Sequence, residues 1–110
     1  MIKEVLKDIG IPQNILGYEY LIRAIKIVKE QPYKIHRITK ELYPDIARAC
    51  DTTASRVERS IRHAIESAFD RSLAFDAIQR IFGNTISHFI AAVAEYLNTQ
   101  EEKAVWVARE

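Results

Sequence analysis

The chain has one cysteine, Cys50, among 110 residues, so no internal disulfide can form. A lone cysteine suits a reducing cytoplasm and reads as a small buried core residue. No apolar run approaches the roughly 20 residues of a membrane span. The opening MIKEVLKDIG is too polar for a signal peptide. A cytoplasmic protein with no membrane partner is expected. Excess charge is also lacking, with 16 Lys and Arg against 15 Asp and Glu. This argues against holding nucleic acid through bulk positive charge, but allows a sequence reader whose cations are local. There is no P-loop, no G-x-G-x-x-G, no H-E-x-x-H and no nucleophile elbow. His36, His63 and His88 are dispersed and lack metal-ligand spacing. No enzyme, no cofactor and no metal are expected. Low-complexity tracts, internal repeats and strand-rich regions are missing too.

What is present is helical periodicity. With 48% apolar residues, the chain reads as one globular domain over 1–110. Ile2, Val5, Leu6 and Ile9 form one stripe, a short amphipathic helix that Gly10 ends. Ile11 to Gly17 reads as a connection broken by its Pro and Gly. Tyr18 to Glu30 is the second helix, with Leu21, Ala24, Ile25 and Val28 inward, and Tyr18 and Tyr20 read as packing residues. Ile35 to Leu42 is a short helical piece exposing His36, Arg37 and Lys40. Pro44 suits the first turn of the next helix. Leu73 to Phe82 forms another helix, stopped by Gly83. Phe89, Ile90, Val93, Ala94 and Leu97 line the last one. Residues 98–110 read as a polar tail, with Val105-Trp106-Val107 as a strand, a packed turn or an oligomer contact.

The most informative stretch is LYPDIARACDTTASRVERSIRHAIESAF, Leu42 to Phe69. It reads as a helix-turn-helix over about 44–69, with a long second helix over 54–69. At about 100° per residue, Val57, Ile61, Ala64, Ile65 and Ala68 share one sector. Arg56, Arg59, Arg62, His63 and Glu66 share the opposite one. The three arginines recur every three residues along one line that a DNA groove could accept. Arginine can make two hydrogen bonds to guanine O6 and N7, whereas lysine is a compact point charge. The bland alternative is a solvated charged face. Asp51 stands in the turn, where a left-handed backbone is needed and Asp tolerates it. Thr52, Thr53 and Ser55 are candidate N-caps, and Ser55 with Glu58 spells a capping box. Glu58 therefore either caps the helix or accepts from a cytosine amino group. Glu66 is expected to pair with Arg62 or Arg59. From Lys34 to Arg71 there are eight Lys and Arg against six Asp and Glu, a mildly basic region.

The run TTASRVERSIRHAIESAF, with LYPDIARAC before it, closely resembles the C-terminal DNA-binding domain of the stage-zero sporulation response regulators. The resemblance extends through IGIPQNILGYEYLIRAI upstream and IFG and FIAAVAEYL downstream, so it covers nearly the whole chain. It implies an all-α domain of about six helices with a central helix-turn-helix, binding a TGTCGAA-type element. Carried over onto the block Ser55 to His63, it puts Arg59 on guanine and Glu58 on a cytosine edge or a bridging contact. Arg56 and Arg62 become base or phosphate contacts, and Ser55 and His63 phosphate contacts.

Three departures qualify what the resemblance implies. Family members carry an N-terminal receiver domain with an acidic phosphorylation pocket. None is encoded here, so the chain reads as an excised domain or a stand-alone protein, without phosphorylation control. The connection over Gly83 to Ser87 is shorter than usual and carries fewer cations. The tail after Leu97 does not follow the family. In the family the segment after the recognition helix, here about Asp70 to Asp76, engages an RNA polymerase sigma subunit, but its residues match poorly. The leading expectation is a sequence-specific transcriptional regulator binding double-stranded DNA as a homodimer or tandem pair. The alternative is a protein-interaction module that kept the fold and lost DNA affinity.

Overall fold

The computed structural model describes residues 1–69 and 86–109, and every regular element among them is helical. Five α-helices appear: α1 (Ile2–Ile9), α2 (Leu16–Glu30), α3 (Tyr43–Ala49), α4 (Ala54–Phe69) and α5 (Ile86–Arg109). The all-α class stands, with five α-helices among the described residues against an expected count of about six. One reason is local. The stretch from Ile35 to Leu42 is not one helical piece but a 3-10 turn, Pro32–His36, followed by a π turn, Ile38–Leu42. The helix expected over 73–82, the 70–76 segment and the start of the short connection at 83 lie outside the described residues.

α1 ends as its sequence dictates. Gly10 takes a left-handed φ of 102°, and its N–H donates to the carbonyls of Leu6 and Lys7 at 3.1 and 3.0 Å. α2 is the central post. It packs against α4, α5, α3 and α1, and Leu21, Ala24 and Ile25 are fully buried. Tyr18 and Tyr20 are both buried, in keeping with a packing role. α2 begins earlier than its apolar pattern suggests, so Gly17 lies in its first turn rather than in the connection. The reason is tertiary. α2 crosses α4 so closely there that a Cβ on Gly17 would sit 2.0 Å from the Ser60 carbonyl oxygen.

The π turn is closed by two bonds to one carbonyl. The N–H groups of Glu41 and Leu42 both donate to the Arg37 carbonyl, at 2.8 and 3.1 Å. This wider turn leads straight into α3, with Leu42 and Tyr43 buried and Lys40 exposed. Asp45 fastens the segment, accepting from Lys34 Nζ at 2.6 Å and from Arg48. Residues 98–109, read as a tail, continue α5 as helix to Arg109. An ion pair between Lys29 of α2 and Glu101 of α5 spans the two helices. Burying a large apolar side chain contributes about 1.5–3 kcal/mol. Leu6, Leu21, Ile25, Leu42, Ile46, Ile61, Ile90 and Leu97, all essentially inaccessible, therefore form the main cohesive term.

Candidate nucleic-acid interface

The turn between α3 and α4 is set by backbone bonds. The Cys50 N–H donates to the Ile46 carbonyl at 3.0 Å, and the Thr52 N–H reaches back to the Ala47 carbonyl at 2.9 Å. The second bond spans five residues and marks a Schellman closure, with Asp51 in glycine's place at φ 53°. Among the described residues Asp51 is the one non-glycine with a positive φ. Cys50 is half-buried rather than a full core residue. The next cap is Thr53: its Oγ1 accepts from the Arg56 N–H at 3.3 Å. Ser55 sits inside the first turn of α4 and is exposed, so the Ser55–Glu58 capping box does not form. The helix starts two residues earlier than that pattern requires, because the closure at Thr52 delivers Thr53 to the cap position.

α4 then divides as its wheel demands. Val57, Ile61, Ala64 and Ala68 are fully buried and Ile65 nearly so. Ser55, Arg56, Arg59, Arg62, His63 and Glu66 are exposed. The buried edge faces α2 and α3, so the outer face is held at a fixed angle, with Arg56, Arg59 and Arg62 along it. Glu58 is less exposed than these, at 29% of its side chain against 53% for Arg62. Its carboxylate accepts from the Arg62 guanidinium, one turn along the helix. Arg62 is thus paired with Glu58 rather than with Glu66. The i,i+4 geometry with the acid on the N-terminal side favours this partner.

The structure brings further residues to this face that the wheel of one helix could not reveal. A cleft beside the Glu58–Arg62 flank is walled on its far side by His36, Arg37, Lys40 and Tyr43. Burial pushes the Tyr43 phenol above its usual range, and the nearby Arg62 guanidinium pulls it partly back. On the same segment, the hydrogen bond that the Lys34 ammonium donates to the Asp45 carboxylate raises the Lys34 pKa. The signal was present in the sequence as three basic residues within 36–40, just ahead of the first helix of the motif. What was missing was the fold that sets them beside α4. Among the described residues, no three His, Cys, Asp or Glu side chains are grouped as a metal site requires. No helix there is long and apolar enough to cross a membrane.

The family described as sporulation initiation factor Spo0A C terminal matches residues 2–99. The chain belongs to this family. Spo0A C-terminal domains are DNA-binding units of transcription regulation in sporulation, not enzymes, and double-stranded DNA is their partner. The match spans α1 through α4 and ends within α5, so the cation-bearing helix lies well inside it. It supports the resemblance read from the central block and is compatible with a helix-turn-helix formed by α3 and α4.

Proposed function

We propose that α4 enters the major groove of a duplex carrying a TGTCGAA-like element and reads it directly. The observation that carries this reading is the line of exposed Arg56, Arg59 and Arg62 on a helix whose opposite face is locked into the core. Arg59, near the centre of the exposed face, is the base-reading residue, donating two hydrogen bonds to a guanine. Such a contact supplies roughly 1–3 kcal/mol of discrimination. Arg56 and Arg62 contact bases or phosphates on either flank. Ser55 and His63 donate to phosphates. Glu58 accepts from a cytosine amino group once Arg62 turns toward the DNA. In the free domain the same carboxylate holds Arg62 in place.

The chain acts as a transcriptional regulator in this reading, with two copies on adjacent half-sites. Contact with an RNA polymerase sigma subunit would fall on about Asp70 to Asp76. Fluorescence anisotropy of a labelled TGTCGAA duplex against a scrambled one, at two salt concentrations, tests the proposal. The wild type prefers the specific duplex. Arg59→Ala reduces that preference by roughly ten- to a hundredfold, the equivalent of one lost bidentate contact. Equal binding of both duplexes by the wild type, or an unchanged preference in Arg59→Ala, overturns direct readout.

A further inference from the structure

The cleft beside α4 carries a second set of cations that base reading does not use. His36 ends the 3-10 turn, Arg37 links it to the π turn and Lys40 lies within the π turn before α3; all three are exposed. They line one wall of the cleft whose other wall holds Glu58 and Arg62. Of the acids near them, Glu66 also lines the cleft and two others are paired. Glu58 is paired with Arg62, and Glu41 lies 3.3 Å from the Arg37 Nε. Arg37 remains 61% exposed despite that contact, so its other donors face solvent. Two cations and a histidine thus stand exposed within five residues at this place.

Groove geometry says what stands opposite them. A major groove is about 12 Å wide, roughly the diameter of a helix with its side chains, so sugar-phosphate strands run along both flanks of an inserted helix. In a helix-turn-helix the first helix crosses one of those strands. Here the π turn feeds directly into that first helix, on the Glu58–Arg62 side of α4. We propose that His36, Arg37 and Lys40 form a phosphate clamp, gripping the DNA backbone beside the groove that α4 occupies. The clamp sets register and affinity and carries no sequence information. This inference rests on α4 entering the major groove.

The test is the double variant R37Q/K40Q in the full chain. Binding to specific and scrambled duplexes is followed by anisotropy across a salt series. Each phosphate contact contributes about 0.9 to the slope of log K against log salt, so the slope falls by about 2. Affinity drops at least about tenfold on both duplexes at 0.1 M salt, while the preference between them is retained. A companion variant, K3Q/K7Q, removes the same number of charges from α1 and leaves the slope unchanged. An unchanged slope in R37Q/K40Q, or an equal fall in K3Q/K7Q, overturns the clamp while leaving wild-type sequence preference intact. A loss of preference in R37Q/K40Q also overturns it, because the residues would then be reading bases. Failure of the wild type to distinguish the duplexes overturns the reading of α4, and the clamp with it.

Discussion

Gly17→Ala strikes the contact that aims α4. A Cβ at this position would lie 2.0 Å from the Ser60 carbonyl oxygen, 2.7 Å from its carbon and 2.9 Å from the Ala64 Cβ. Ordinary contact begins near 3.4 Å, so α2 and α4 must separate by more than 1 Å at their crossing. Two of the three obstructing atoms are backbone, and no rotamer change relieves them. Overpacking of a well-filled core costs typically 1–3 kcal/mol, and this case belongs at the upper end. Alanine returns at most about 1 kcal/mol of helix propensity. The net expectation is a loss of about 2 kcal/mol, or roughly 10 °C in Tm for a domain of this size. Urea denaturation gives the stability, and anisotropy on the specific duplex reports whether α4 has shifted. A second change separates the causes. Adding Ser60→Gly does not rescue Gly17→Ala, because the collision is with the carbonyl and not the side chain. A Gly17→Ala protein as stable as wild type, or one rescued by Ser60→Gly, refutes the close crossing.

Two further outcomes follow from the turn and from the segment beside it. Thr53→Ala removes the cap on α4 and costs about 1 kcal/mol, while Ser55→Ala stays within about 0.5 kcal/mol, as urea titrations of both would show. The reverse order would restore the capping box. The Tyr43 phenol holds its proton more tightly in the folded state than the usual 10.0, and Lys34 likewise exceeds its usual 10.5. Both groups therefore contribute stability that is present below about pH 10 and lost as pH climbs through their raised folded values. Tyr43→Phe makes the fall in stability over about pH 10–12 shallower, and an identical pH profile in the variant would remove Tyr43 from the account.

The sequence by itself determined the helical class, because apolar residues recur at helical spacing from Ile2 to Leu97. It also determined the two faces of α4, since a regular helix converts spacing into direction without help from the rest of the chain. The same holds for the stops at Gly10 and Asp51, where a left-handed backbone narrows the choice of residue. What a single helix cannot encode was decided by the tertiary structure. Gly17 looked like a breaker, but its missing side chain lets α2 cross α4. The cap fell to Thr53 rather than Ser55 because the closure of α3 fixes where α4 starts. The basic turn at 36–40 gained its significance only when folding set it across a cleft from Arg62, because proximity between distant segments is a property of packing and not of periodicity.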